Sequence, residues 1–211
     1  MKDLKNILKE LRVTYIYGDE EKLITGVTAD SRDVQPGSLF VAVRGTKSDG
    51  HAFIRTAIER GAAAVICEKM PEDFSVKKPV SIGESTINSR SGSRSGTFKG
   101  SVHGGVTMIV VDDSAAATGL AASAFYDHPS GKLRLTGVTG TNGKTTIATL
   151  LYNMFEALGY KCGLLSTVCN YVHHERRDAT HTTPDPAKLN AMLAEMADAG
   201  CEYAFMEVSS H

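Results

Sequence analysis

One segment of the sequence combines small residues, a lysine and threonines in an order suited to binding a nucleoside triphosphate. It reads Thr139-Gly140-Thr141-Asn142-Gly143-Lys144-Thr145-Thr146. Small residues let backbone N–H groups converge on phosphate oxygens, and the start of a following helix presents its positive end to the anion. Lys144 can reach the β and γ phosphates, and Thr145 has the hydroxyl group that typically binds Mg²⁺ in such loops. The segment therefore predicts a site for a nucleoside triphosphate with Mg²⁺.

The elements around this segment have the order that a phosphate loop requires. An apolar run over residues 133–138 reads as a strand, and apolar residues at helical spacing over 147–158, ended by Gly159, read as a helix. The general pattern GxxxxGK[ST] matches incompletely, because position 138 is Val138 and Gly137 lies one position too early. The alternative is an ordinary turn with a surface lysine.

Short β-rich runs alternate with helical patterns along the chain, which is typical of α/β units with a mainly parallel sheet. Two domains are predicted, over residues 1–113 and 114–211. Predicted strands are 24–29, 39–43, 64–67, 108–111, 133–138, 162–168 and 203–208; predicted helices begin near residues 53, 114, 144 and 185. Ser114 is the predicted cap of the helix that opens the second domain.

Residues 83–105 differ from the rest of the chain. They are rich in Ser and Gly, carry Arg90, Arg94 and Lys99, and have no hydrophobic period. This composition predicts a flexible loop. A basic arm that contacts phosphate is the functional alternative.

Composition and charge restrict the classes of partner. The 211 residues have a formal net charge of -1 and a pI near 6.7, so nothing favours nonspecific binding to nucleic acid or to an anionic membrane. We expect neither a signal peptide nor a membrane span. The four cysteines form no CxxC pair, which argues against a zinc site and a disulfide framework and favours a reducing cytoplasm.

Four sequence blocks resemble the Mur ligases, ATP-dependent enzymes of cell-wall peptide synthesis. The first, GVTGTNGKTT at 137–146, also resembles the related folylpolyglutamate synthetases. The second comprises Asp30-Ser31-Arg32, Pro36-Gly37, LFVA at 39–42, Gly45 and Asp49-Gly50-His51. TTPD at 182–185 and MEVSSH at 206–211 are similar to the Mur ligases that add the third residue of the peptide. The blocks follow the family's order and span nearly the whole chain.

The resemblance implies roles for individual residues. Residues 140–146 would bind ATP, with Lys144 and Glu207 as catalytic residues and with Thr145 and Glu207 as Mg²⁺ ligands. The UDP-linked substrate would contact Ser31, Thr46, Lys47, Ser48, Thr182, Thr183 and Ser209. Apart from the resemblance, these Ser and Thr residues read as turn and cap residues, and Glu207 as a solvated carboxylate at the end of a strand.

The resemblance also implies the substrates and the extent of the enzyme. ATP would phosphorylate the D-glutamate carboxylate of UDP-N-acetylmuramoyl-L-Ala-D-Glu, and a diamino acid, meso-diaminopimelate or L-lysine, would attack the acyl phosphate. In the family the ATPase domain continues beyond the EVSSH block, and a third domain recognises the amino acid. The expected fold is therefore a small N-terminal α/β domain followed by an incomplete phosphate-loop domain, and we expect binding without turnover.

Alternative functions are a non-catalytic nucleotide- or UDP-sugar-binding fragment, another Mur-type ligase, or a small kinase. A kinase would explain the phosphate loop but none of the other blocks. The adjacent pair His173-His174 has no third ligand at metal spacing, so we predict a solvated loop there.

Overall fold

The alternation of strands and helices that the sequence predicts is present in the part of the chain that the structure describes. The computed structural model describes residues 1–45, 49–71, 74, 96–98, 105–178 and 185–209. It divides into an N-terminal unit, residues 1–125, and a C-terminal unit, residues 126–211. Each unit contains its own sheet and helices, so the predicted α/β class is confirmed.

The N-terminal unit is built on a six-stranded sheet. Its elements are β1 (Lys2–Asp3), α1 (Leu4–Leu8), β2 (Val13–Tyr17), β3 (Leu23–Ile24), β4 (Val27–Thr28), β5 (Leu39–Val41), α2 (Ile54–Glu59), β6 (Ala64–Cys67), β7 (Gly96–Phe98), β8 (Thr107–Val111) and α3 (Ser114–Phe125). The order is β4-β5-β6-β8-β2-β7, and only the β8–β2 pair is antiparallel. A separate antiparallel pair joins β1 and β3.

The central strands of this sheet are apolar on both faces. All four residues of β6 and all three of β5 are buried, which is typical of a parallel strand covered on both sides. Ile54 and Ala57 of α2 pack with Phe40 and Val65 in one core. Helix α3 contacts α1 and strands β4, β5 and β6.

Helix α3 therefore belongs to the N-terminal unit. The boundary predicted near Asp113 lies before this helix, whereas the compact units divide after Phe125. The sequence of an Ala-rich helix that follows a strand is compatible with the end of one domain and with the start of the next. In the structure, Ala117 and Ala121 of α3 are buried within the N-terminal unit. The predicted cap also differs, because the Asp113 carboxylate accepts from Ala116 N–H at 2.9 Å.

The C-terminal unit is built on a five-stranded sheet. Its elements are β9 (Arg134–Val138), α4 (Lys144–Ala157), β10 (Cys162–Leu165), β11 (Cys169–Val172), β12 (Glu175–Asp178), α5 (Pro186–Asp198) and β13 (Tyr203–Glu207). The order is β12-β11-β10-β13-β9. Strands β10, β13 and β9 are parallel, and β11 and β12 add to the sheet as an antiparallel hairpin.

Helix α5 begins as the sequence predicts. The Asp185 carboxylate accepts from the backbone N–H groups of Ala187 and Lys188, and Pro186 occupies the first helical position. Leu193 and Met196 of α5 are buried against one face of the sheet with Leu165 and Ala204. On another part of the sheet, α4 packs through Ala148 and Tyr152.

Three stretches differ from their predicted structure. The strand predicted over 24–29 is divided into β3 and β4, which belong to different sheets. The strand predicted over 162–168 ends at Leu165, and the hairpin of β11 and β12 follows it, although the charged sequence of β12 has no strand-like apolar pattern. Most of the loop predicted over 83–105 lies outside the described residues. Within it, Gly96–Phe98 form β7, which pairs with β2.

No helix in the described part of the chain combines the length and apolarity needed to cross a membrane. The four cysteines are free thiols; Cys67, Cys162 and Cys201 are buried, and Cys169 is partly buried.

Candidate nucleotide-binding site

The predicted phosphate loop connects β9 to α4 in the C-terminal unit. Gly140 and Gly143 have φ angles of +146° and +80°, which residues other than glycine rarely adopt. Gly143 directly precedes α4, and Thr141, Asn142 and Gly143 are exposed. The first N–H groups of a helix have no partner within the helix and attract anions. The loop is therefore solvent-accessible at the start of α4, where an anion could bind.

Lys144 closes this loop. Its Nζ donates to the Gly140 carbonyl oxygen at 2.6 Å, four residues back along the chain. The side chain is half-buried, so its ammonium group is held beside the loop. An ammonium group has three N–H donors, and the bond to Gly140 uses one. Lys144 is thus positioned to donate to a phosphate bound in the loop.

Glu207 meets the first turn of α4 at the carboxyl end of β13. Its carboxylate accepts from the Thr145 hydroxyl at 2.9 Å, and the residue is 1% exposed. Strand β13 runs parallel to β9 and β10 on either side, so the carboxyl ends of all three strands lie at one edge of the sheet. Ligands of open α/β sheets bind at this edge. The two residues predicted as Mg²⁺ ligands are therefore in direct contact.

The oxygen pair of Thr145 and Glu207 fits a magnesium ion. Mg²⁺ prefers oxygen ligands in octahedral geometry with bonds of 2.0–2.1 Å, which places neighbouring ligand atoms about 2.9 Å apart. The observed separation of the two oxygens is 2.9 Å. A hydroxyl group and a carboxylate at this spacing could hold the ion beside the phosphate loop.

Thr167 also contacts this carboxylate, although no sequence pattern pointed to Thr167. Its N–H donates to Glu207 at 2.8 Å and its hydroxyl group at 3.1 Å. The turn that carries Thr167 follows β10 and is fixed by two buried residues. Ser166 N–H donates to the Asn170 side chain at 3.0 Å, and the Ser166 hydroxyl donates to the Cys169 carbonyl oxygen at 2.6 Å. Thr167 therefore orients Glu207.

Comparison with known protein families gives two matches that together span most of the chain. Residues 23–126 match the Mur ligase family, catalytic domain, and residues 138–211 match the Mur ligase middle domain. The chain belongs to the Mur ligase family. The first match ends beside the boundary of the N-terminal unit at Phe125.

Curated Mur ligases resemble nearly all of this chain. A protein of Bacteroides fragilis named UDP-N-acetylmuramoyl-L-alanyl-D-glutamate--2,6-diaminopimelate ligase is 50% identical over 208 residues. One of the same name from Phocaeicola vulgatus is 49% identical over 208 residues. Both alignments cover 99% of this chain and 37% of the relative, so the chain spans well under half the length of these proteins.

A solved Mur ligase structure has the same fold. It is described as the structure of UDP-N-acetylmuramoyl-L-alanyl-D-glutamate--2,6-diaminopimelate ligase and superposes with a TM-score of 0.60 at 25% identity. The match covers 89% of this chain and 32% of that one.

Ser31, predicted to contact the uridine end of a Mur ligase substrate, lies partly buried in the turn after β4. The Asp30 carboxylate fixes this turn by accepting from the backbone N–H of Arg32 and from its guanidinium group at 2.6–3.1 Å. Strand β5 runs parallel to β4, so the chain leaves both strands at one edge of the sheet. Thr46, Lys47 and Ser48 come after β5 in the sequence and lie outside the described residues.

Contacts in the structure explain why Asp, Gly and His occupy positions 49–51, one of the segments that resemble the Mur ligases. Asp49 accepts from the His51 N–H at 3.0 Å and contacts its Nδ1 at 2.6 Å; these bonds hold the pKa of Asp49 below its ordinary value. A side chain at Gly50 would meet backbone atoms of Val43 at 2.7 Å. His51 Nε2 accepts from Glu68 N–H at 2.9 Å. A cavity of about 210 Å³ lies beside this block and is lined in part by Arg44, Asp49, His51 and Glu68.

The other predicted substrate residues lie near the end of the sequence. Ser209 is partly buried and follows β13 by two positions. It is thus close in sequence to Glu207 at the carboxyl edge of the sheet. Thr182 and Thr183 are outside the described residues.

Proposed function

We propose that this chain carries the UDP-substrate domain and part of the ATPase domain of a ligase that adds 2,6-diaminopimelate to UDP-N-acetylmuramoyl-L-Ala-D-Glu. This reaction builds the peptide of a peptidoglycan precursor from cytoplasmic substrates. The contact between Thr145 and Glu207 carries the nucleotide part of the proposal, because it joins the phosphate loop to a buried carboxylate at magnesium-ligand spacing. The acceptor amino acid is inferred from the names of the relatives.

The phosphate loop would position ATP for attack by a carboxylate. The N–H groups at the start of α4 and the Lys144 ammonium group would neutralise charge on the transferring phosphoryl group. Thr145 and Glu207 would hold Mg²⁺, which would reduce the repulsion between the two anionic reactants. Thr167 would keep the Glu207 carboxylate turned towards the loop.

The reaction has two steps, a phosphoryl transfer and then the formation of the amide bond. The γ-carboxylate of D-glutamate attacks the γ-phosphorus of ATP, which gives an acyl phosphate and ADP. The amine of diaminopimelate then attacks the acyl carbon, forms the amide and releases inorganic phosphate. The chain's own residues serve the first step.

Two single substitutions test the two binding functions separately. The parent chain is titrated calorimetrically with ATP and Mg²⁺, and independently with UDP-N-acetylmuramoyl-L-Ala-D-Glu. Lys144→Ala should abolish ATP binding and leave binding of the UDP substrate intact, whereas Ser31→Ala should weaken only the UDP substrate. Lys132→Ala, which removes an exposed lysine outside the loop, is the control for Lys144.

The outcomes distinguish the parts of the proposal. Unchanged ATP affinity in Lys144→Ala contradicts the phosphate-loop assignment. Unchanged affinity for the UDP substrate in Ser31→Ala contradicts the role of Ser31. A parent chain that binds ATP but no UDP substrate favours a different phosphate-loop function.

A further inference from the structure

The turn between β11 and β12 places two histidines against a glutamate of α4. His173 Nδ1 lies 3.1 Å from Glu156 Oε1, and His174 Nε2 lies 3.5 Å from Glu156 Oε2. One ligand atom from each of the three side chains lies within 4.8 Å of the other two. Glu156 precedes the histidine pair by 17 positions, so the sequence gives no indication of this cluster.

Hydrogen bonds hold the Glu156 carboxylate and the backbone of the turn that carries the histidines. Glu156 Oε1 accepts from Cys162 N–H at 2.8 Å, and the Glu156 side chain is 11% exposed. His173 N–H donates to the Cys162 carbonyl oxygen at 2.9 Å, and Tyr152 donates its hydroxyl hydrogen to the His173 carbonyl oxygen at 2.5 Å. The imidazole rings of His173 and His174 are tilted by 35° to each other, with centroids 3.8 Å apart.

We propose that Glu156, His173 and His174 form a binding site for a divalent transition-metal ion such as Zn²⁺. Two imidazole nitrogens and a carboxylate oxygen are a ligand set that Zn²⁺ prefers. Tetrahedral zinc with bonds of about 2.0–2.1 Å places its ligand atoms about 3.3 Å apart. Each nitrogen lies near that distance from one of the two Glu156 oxygens, His173 Nδ1 at 3.1 Å from Oε1 and His174 Nε2 at 3.5 Å from Oε2. His174, with a side chain 71% exposed, leaves the site open to the ion and to water as a fourth ligand.

This site is separate from the proposed magnesium site. Thr145 lies in the first turn of α4 and Glu156 near its end, which places them roughly 16 Å apart along the helix. Nitrogen ligands also favour zinc over magnesium. A metal here would link the hairpin of β11 and β12 to α4.

Zinc titration of the chelator-stripped, untagged chain tests the site. We expect one equivalent of Zn²⁺ to bind and to raise the melting temperature. His173→Asn and His174→Asn should each lower the zinc affinity at least roughly tenfold. The matched control is His128→Asn, because His128 has the same left-handed backbone as His173, with φ of 53° against 52°, and lies outside the cluster.

Further variants separate a loss of ligands from a loss of fold. Glu156→Gln keeps an acceptor for Cys162 N–H but removes the charge, so it should weaken zinc while circular dichroism stays unchanged. If the other variants unfold, His174→Asn still tests whether the cluster binds zinc, because the His174 side chain is mostly exposed and its replacement should not disturb the fold. A parent chain that binds no zinc, or variants that bind it as tightly as the parent, overturn the proposal. Binding that is lost only in Cys169→Ser assigns the zinc to a thiol and likewise overturns it.

Discussion

The hydroxyl group of Thr145 donates a 2.9 Å hydrogen bond to the carboxylate of Glu207, 62 positions further along the chain. One residue belongs to the first turn of α4 and the other to the carboxyl end of β13. The contact therefore ties the phosphate loop to the edge of the sheet where a nucleotide would bind.

Removal of the Thr145 hydroxyl should weaken magnesium-dependent ATP binding. A hydrogen bond or ligand contact to a charged group contributes about 1.5–3 kcal/mol, so Thr145→Val should lower the affinity roughly tenfold to a hundredfold. Thr145→Ser keeps the hydroxyl group and should stay close to the parent. The affinity is measured calorimetrically with Mg²⁺ and again with a chelator. Equal affinities of the valine and serine variants in Mg²⁺ would contradict the role of this hydroxyl.

Thr167 should act as a positioning residue. Thr167→Val removes the hydroxyl bond to Glu207 and keeps the backbone N–H bond. Loss of a group that orients a metal ligand typically lowers metal affinity roughly tenfold to a hundredfold. The concentration of Mg²⁺ that gives half-maximal ATP binding should therefore rise. Thr167→Ser is the control, and a valine variant with the parent's Mg²⁺ requirement would show that the hydroxyl does not orient Glu207.

Ser114→Ala should destabilise the N-terminal unit in a pH-dependent way. The Ser114 hydroxyl and N–H donate to Glu68 at 2.8 and 3.1 Å, and these bonds hold the pKa of the Glu68 carboxyl below its ordinary value of 4.5. A carboxyl whose pKa is lowered by folding stabilises the fold above its unfolded pKa and loses that contribution as the pH falls through its folded pKa. Because Glu68 is only partly buried, the substitution should cost about 1 kcal/mol at pH 7.

Urea unfolding at pH 7 and at pH 3 measures this difference. The cost of Ser114→Ala should be smaller at pH 3, because Glu68 is increasingly protonated as the pH falls through its lowered pKa, which weakens its bonds to Ser114. In a Glu68→Gln background the cost of Ser114→Ala should no longer depend on pH. A cost that is equal at both pH values in the parent background would contradict the interaction.

The cysteines should differ in their reaction with iodoacetamide. Burial raises the pKa of the Cys67 and Cys162 thiols to about 12, so both stay protonated at pH 8, and the thiolate is the reactive form. Cys169 is only partly buried and should be labelled first. Mass spectrometry of the folded chain measures the order, and in urea all four cysteines should react. Equally fast labelling of Cys162 and Cys169 in the folded chain would contradict the predicted order of reaction.

The local parts of the nucleotide site were predictable from sequence. Apolar runs predicted β9 and α4, and Gly140 and Gly143 occupy positions whose backbone angles favour glycine. The resemblance to the Mur ligases predicted Thr145 and Glu207 as Mg²⁺ ligands, with the loop pattern also pointing to Thr145, and the structure places the two residues in contact. These features depend on short-range chemistry or on the rule that parallel strands end at a common edge.

The remaining features depend on contacts that no local pattern encodes. Thr167 reaches Glu207 only because Ser166 and Asn170 shape the turn between β10 and β11. Glu156 meets the histidine pair because the hairpin folds back over α4. Likewise, the assignment of α3 to the N-terminal unit is decided by which sheet buries its alanines.

The position of strand β9 in its sheet has a consequence for self-association of the chain in concentrated solution. It is the outer strand among those that the structure describes in its sheet, and three of its five residues are exposed. On neighbouring α4, Leu150 and Leu158 are about two-thirds exposed, at 65% and 66%. An open strand edge can pair with a strand of another molecule, and exposed leucines add to the attraction. We therefore expect turbidity and sedimentation of larger species to increase with protein concentration, and a charged residue at Thr136 to suppress both.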